Sequence, residues 1–282
     1  MKRHYENPQA DQWYLSLAEH PEKIPFLFEY NHSEYTGFAA PQFTLKDKQI
    51  KTEGSKETRT FVYSFADGLE ISLILTHYFS HGVTEWTVWF ENTGTENSGI
   101  LSKLRTELTF TGTQPVLKGI LGDHVNQYTP YNMDLAGLSV DFSSDSGRAT
   151  HINFPYFNLE YGSGGVMLAI GWAGTWNARF TCRNDRVTYT ANAVNGLHTY
   201  LKPGEKIRTA LFVTAPYTVR NEQYATNFWR SWFIEHNLPK ENAAGDALQP
   251  LPPAALPTTP ACPIPTAASP SAIPHGSLRW IR

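Results

Sequence analysis

Cysteine is nearly missing from this 282-residue chain, which holds only Cys182 and Cys262. Two thiols this far apart make no disulfide framework and no metal-type spacing, which fits a reducing, cytoplasmic setting. No run of about 18 uncharged apolar residues occurs, so no membrane-spanning helix is expected. Behind the basic start Met1-Lys2-Arg3 there is no apolar stretch, so no secretory leader is expected either. An excess of either charge is also missing: 23 Lys and Arg oppose 26 Asp and Glu, for a net charge of −3. Without a basic field, nucleic acid is not an expected partner. No Gly-x-Ser-x-Gly elbow and no Cys/His nucleophile arrangement occurs.

What is abundant is alternation. Leu69, Ile71, Leu73 and Leu75 interleave with polar residues, as do Trp86, Val88 and Phe90, the period-2 pattern of half-buried strands. Turn chemistry separates such runs at Ala66-Asp67-Gly68, His81-Gly82, Asn92-Thr93-Gly94, Gly162-Ser163-Gly164-Gly165, Asn184-Asp185 and Lys202-Pro203-Gly204-Glu205. Many strands at this spacing, with 13% aromatic residues, predict an all-β fold, a large antiparallel sandwich over residues 24–217. Residues 1–23 form an N-terminal extension to it. Tyr224, Phe228 and Trp232 recur every four residues, which predicts a linker helix within 218–240. Thr218 or Asn221 is placed to cap its start, and Asn237-Leu238-Pro239 to close it. Beyond it, residues 241–282 carry nine of the 19 prolines and one aromatic, Trp280, the composition of a disordered Pro/Ala-rich tail.

The candidate chemistry is sparse. His77 and His81 lie four apart on what reads as strand, where about 13 Å separates them, so they are expected at a strand end or surface and share no metal. Glu85 and Glu91 point to one face about 20 Å apart, too far for a glycosidase pair, and are expected to face solvent. Asp123-His124 is an acid–base dipeptide in a loop, with neighbouring side chains pointing apart. The glycine run at 162–165 leads into a strand rather than a helix, so it is a hairpin turn and not a phosphate cradle. No catalytic residue and no metal site is assigned. The richest segments are 151–160 and 171–177, where aromatic rings sit beside amides and an imidazole, a mixture that suits a sugar's apolar face and hydroxyls as well as a packed core. Trp176, Asn177, His151, Asn153 and Asn158 are the candidate sugar-facing residues. Trp172, ending an apolar run, is expected in the core, and Trp176, flanked by polar residues, at the surface.

Phe154-Pro155-Tyr156-Phe157-Asn158-Leu159 and Ala169-Ile170-Gly171-Trp172-Ala173-Gly174-Thr175-Trp176 resemble the N-terminal domain of glycoside hydrolase family 36 α-galactosidases. Ile24-Pro25-Phe26-Leu27-Phe28-Glu29-Tyr30, the stretch from Glu85 to Gly94 and Leu201-Lys202-Pro203-Gly204-Glu205 resemble the same family in the same order. The segment from Phe228 to Pro239 is similar to the linker into that family's barrel. The resemblance implies a galactose-mutarotase-like β-supersandwich followed by a (β/α)8 catalytic barrel, with retaining hydrolysis of α-galactosides, no cofactor and a homo-oligomer. No residue here matches the family's two barrel aspartates, since the chain departs from the pattern near residue 240. A truncated or frameshifted coding sequence and a natural disordered tail both account for that departure. The implied function is a non-catalytic part of an α-galactosidase-like enzyme, partnered by the missing barrel and an α-galactoside or related sugar. A stand-alone carbohydrate-binding module and a mutarotase-like epimerase are the alternatives.

Overall fold

Strands whose apolar residues fall on every second position must find a second apolar surface, and here two sheets supply it for each other. The computed structural model describes residues 5–124, 127–193, 197–239 and 241. The expected tail, 242–282, lies outside them. In chain order the strands are β1 Phe26–Tyr30, β2 Ser33–Thr36, β3 Thr44–Glu53, β4 Lys56–Ser64, β5 Leu69–Tyr78, β6 Val83–Asn92, β7 Leu101–Thr111, β8 Val116–Leu121 and β9 Pro130–Asp134. They continue as β10 Ser139–Ser144, β11 Asn153–Tyr161, β12 Gly164–Gly171, β13 Trp176–Arg183, β14 Arg186–Ala193, β15 His198–Thr199, β16 Lys206–Arg208 and β17 Leu211–Tyr217. Two α-helices flank them, α1 Pro8–Glu19 and α2 Glu222–His236.

A seven-stranded sheet has the order β10-β13-β14-β7-β1-β2, with β15 also paired to β7. A ten-stranded sheet runs β3-β4-β5-β6-β17-β12-β11-β8-β9, with β16 also on β6. All pairings among the described residues are antiparallel. This is the all-β sandwich that the alternation predicts. Leu69, Ile71, Leu73 and Leu75 of β5 and Trp86, Val88 and Phe90 of β6 are all buried, and join Phe26, Phe28, Phe157, Phe180 and Tyr189 in one core. The turns hold too. Asn184 and Asp185, both at positive φ, make the tight β13–β14 connection, where the left-handed region suits asparagine and aspartate. The outer edge of the large sheet is β3, exposed along its whole length and rich in Lys, Asp and Glu, which discourages pairing with another chain.

The segment before residue 24 holds a helix of its own. Asn7 caps α1 by accepting from the Ala10 N–H at 3.2 Å, and Pro8 opens the helix where no donor is needed. Its buried face carries Ala10, Tyr14, Leu17 and Ala18. Close approach to the β5–β6 turn requires Gly82, at φ +62°, because a Cβ there would meet the Asn7 Cβ at 2.8 Å. The Tyr14 ring stacks on His77 at 4.4 Å between centroids, and its hydroxyl donates to Glu57 Oε1 at 2.7 Å. His77 is fully buried between Asp11 Oδ1 and Thr84 Oγ1, each 2.8 Å from a ring nitrogen. It lies at the end of β5, one of the two places expected, but not at the surface, because α1 closes over it.

Burial pulls the His77 pKa below 6.5, against the opposing pull of Asp11 and Glu57. The unfolded chain therefore takes up a proton near pH 6.5 that the native state refuses, and stability falls as pH drops through that window. His77→Gln removes this dependence. Urea unfolding from pH 7.5 downward should show the wild-type advantage over this variant shrinking; a constant difference would contradict the assignment.

Candidate carbohydrate-facing surface

Residues 151–177 cross between the two sheets, and the structure sorts the candidate residues by the strand phase on which each falls. On β13, Trp176, Ala178, Phe180 and Cys182 point into the core, while Asn177 and Arg179 point out. Trp176 is 0% exposed, packs edge-on against Phe157 at 6.0 Å and donates its indole N–H to Ala149 O at 2.7 Å. The expectation of an exposed stacking platform is therefore overturned. Its polar neighbours mark alternation across a sheet, not exposure of the ring. Trp172, expected in the core, is only half-buried, with the Arg208 guanidinium 5.1 Å over its ring. That arginine also lies 5.9 Å from Trp89, so it sits between two indoles on the outer face of the large sheet.

His151 and Asn153 do lie near Trp176, and all three organise the chain around Ser143 and Ser144. His151 Nδ1 is 3.0 Å from Asp145 Oδ1, its backbone N–H donates to Ser144 Oγ at 3.2 Å, and its ring packs 4.4 Å from His124. The bond from His151 holds the Asp145 carboxyl below its ordinary pKa. Asn153 donates to Ser143 O at 2.9 Å. Asn158 belongs elsewhere: it is buried on β11, where its Oδ1 accepts from the Tyr217 hydroxyl at 2.6 Å. Asn177 alone of the five aims outward from a strand of the small sheet. It lies between Ser143 on β10 and Asn192 on β14, and the neighbouring row is Asp141, Arg179 and Thr190. Ser143, Asn177, Asp141, Arg179 and Thr190 of these rows line a hollow of about 490 Å³. Asn192 Oδ1, beside Asn177 on β14, is buried without a hydrogen-bond partner, and Arg179 grips Asp141 through two bonds of 2.6 and 3.1 Å. Asp141, Arg179 and Asn192 went unnoticed in the sequence because their common face exists only once three strands pair in register.

The acidic and imidazole candidates separate. Asp123 accepts from Arg148 and Thr150, pointing away from the His124 ring that meets His151. Glu91 reaches solvent and pairs with Lys206 at 2.7 Å. Glu85 does not: its Oε2 is buried without a hydrogen-bond partner, while Oε1 accepts from Tyr78 at 2.8 Å. Burial raises the Glu85 pKa despite that hydroxyl. The surface expected from its strand is covered because Tyr78 packs beneath Trp232 of α2. Glu160 and Glu222 both bond Lys118 Nζ, at 3.0 and 3.1 Å, which ties the start of α2 to the sheet. His81 is buried rather than at the surface, and its ligand atom lies within 4.8 Å of those of Glu235 and His236.

No protein-family model matches this chain, and no curated protein matches it. Solved structures do. The α-galactosidase from Lactobacillus brevis aligns over 74% of this chain at TM-score 0.58 and 13% identity. It shares its fold with part of that enzyme. The galactosidase domain of the α-galactosidase–sucrose kinase AgaSK aligns over 69% at TM-score 0.54 and 14% identity. The family 36 α-galactosidase AgaA from Geobacillus stearothermophilus aligns over 69% at TM-score 0.52 and 17% identity. The chain spans about 30% of the length of each of these structures, 30% for AgaSK and AgaA and 31% for the L. brevis enzyme.

Because Trp176 is a core residue, Trp176→Ala should cost about 3–5 kcal/mol of unfolding free energy, as for other buried tryptophans. Asn177→Ala, at the sheet surface, should stay within about 0.5 kcal/mol of wild type. Equilibrium urea unfolding of the two variants checks both values.

Proposed function

We propose that this chain serves as a non-catalytic β-sandwich unit of an α-galactosidase-like retaining glycoside hydrolase, with an α-galactoside as the sugar handled by the whole enzyme. The observation that carries this reading is the fold match to family 36 α-galactosidases, spanning most of this chain and about 30% of each of theirs. Fold alone is a weak warrant for activity, so the chemistry of the residues must agree with it. Retaining hydrolysis needs one carboxyl as acid and a second as nucleophile, about 5–5.5 Å apart across the sugar bond. Glu160 and Glu222, which come together, are occupied by Lys118, and Glu160 is further approached by Arg220 at 3.5 Å. A carboxylate engaged by an ammonium and a guanidinium is a poor nucleophile and a poor proton donor. The sandwich's role is then to support and orient a catalytic partner domain, and a (β/α)8 barrel is the partner this reading names. The matched AgaA structures include complexes with stachyose and raffinose, which makes these two sugars the natural probes.

A second reading, a stand-alone carbohydrate-binding module, is favoured by the hollow on the small sheet. Its lining residues Ser143, Asn177, Asp141, Arg179 and Thr190 offer hydroxyl, amide, carboxylate and guanidinium groups to a sugar's hydroxyls. It has no ring from the candidate set to stack a sugar's apolar face, because Trp176 points inward. Weak, purely hydrogen-bonded recognition is what such a face supports.

The purified chain should hydrolyse no aryl α-galactoside above background. Turnover by homogeneous protein that disappears on mutating a residue within 24–217 would overturn the first reading. Titration with raffinose, followed by NMR on wild type and Asn177→Ala, separates the two: saturable shifts lost in the variant favour the module, and no shifts favour the supporting unit.

A further inference from the structure

The turn between β5 and β6 and the last turn of α2 bring His81 to Glu235 and His236, more than 150 residues further along the sequence. Asn221 caps the start of α2 by accepting from the Tyr224 N–H at 2.9 Å, which sets the phase of the helix. Ala225, Phe228 and Trp232 then face the large sheet. Ser231, Glu235 and His236 come round beside the hairpin. His81, 2% exposed, is held there by Tyr5, whose ring stacks on it at 5.9 Å, and by Phe228. Its Nδ1 lies 2.9 Å from Ser80 Oγ, and its Nε2 lies 3.3 Å from Ser231 Oγ, facing α2. The His236 ring stands nearly perpendicular to it at 5.6 Å, and His236 Nε2 is 3.7 Å from Glu235 Oε1.

We propose that His81, Glu235 and His236 form a divalent transition-metal site, with Zn²⁺ as the ion it takes. Two imidazole nitrogens and a carboxylate are a zinc-type donor set; magnesium and calcium select oxygen donors. The ligand atoms of the three residues lie within 4.8 Å of one another. At zinc–ligand distances near 2.0–2.1 Å, tetrahedral neighbours stand about 3.3–3.4 Å apart, so closing the site asks for a shift of roughly 1.4 Å at most. Glu235, with a side chain 46% exposed, has room to adjust, while His81 is buried. Ser80 completes the design. Ser80 Oγ, 2.9 Å from Nδ1, is placed to accept from it in the tautomer whose Nε2 binds an ion, the outer-shell role that orients metal-bound histidines. The site also lies in the last turn of α2, where unsatisfied carbonyls favour a cation. Water takes the fourth position. Such an ion clamps the end of α2 to the β5–β6 hairpin.

The test uses the full, tag-free chain stripped with chelator and titrated with zinc chloride by calorimetry. Cobalt substitution supplies a spectroscopic signature of four-coordinate binding. One zinc per chain, a rise in Tm on loading, and visible cobalt bands of four-coordinate intensity are expected. Glu235→Gln changes an exposed side chain and His236→Gln a mostly buried one near the end of α2, and both replacements are close in size, so both variants should fold. Each should lose at least about tenfold in zinc affinity, the loss common even for outer-shell substitutions. Failure of wild type to take up stoichiometric zinc would overturn the site, as would unchanged affinity in either variant.

Discussion

The seat of α2 on the outer face of the large sheet decides which surfaces this molecule has left for anything else. A two-layer sandwich normally leaves the outer faces of its sheets polar. Here a second apolar patch runs across β5, β6, β17 and β12 through Tyr78, Val83, Val213, Ala215 and Ala169. The alanines let the helix approach, and Phe228 and Trp232 fill the space above them to 1% and 2% exposure. Burying those two side chains contributes about 1.5–3 kcal/mol each, enough to hold a 15-residue helix whose isolated form is marginal in water. Lys118, bonded to Glu160 and Glu222, fixes one end of the helix. The other end comes to rest against the hairpin that carries His81.

Alternation made the sandwich legible, and turn residues marked most of its connections. The helix after the sandwich was equally plain, since its aromatics repeat every four residues and Asn221 stands at the cap position. What stayed hidden depends on elements far apart in the chain. Asn7-Pro8 is a helix start, yet only the packing of Tyr14 onto His77 shows why α1 belongs to the sandwich. His77 and Glu85 read as ordinary strand polar residues, and are buried because a helix covers each side of the large sheet at that point. Trp176 is the instructive error. Thr175 and Asn177 beside it resemble a surface, but on a strand the flanking residues describe the opposite face.

The two outer faces differ in character. The large sheet carries α2 and, beyond it, Arg208 between Trp89 and Trp172. The small sheet carries a polar grid with a hollow over Asn177. The likeness to family 36 α-galactosidases informs the fold, and the residues themselves define what this part of the fold does.

Because the account rests on α2 being completed by the sheet, native-state hydrogen exchange along the helix tests it most directly. If the sheet covers the helix, the inner amides of Glu222–His236 exchange only through the same opening that releases β6 and β17, with matching protection. Fast exchange across the helix while those strands remain protected would show that α2 does not rest on the sheet, and would contradict the account.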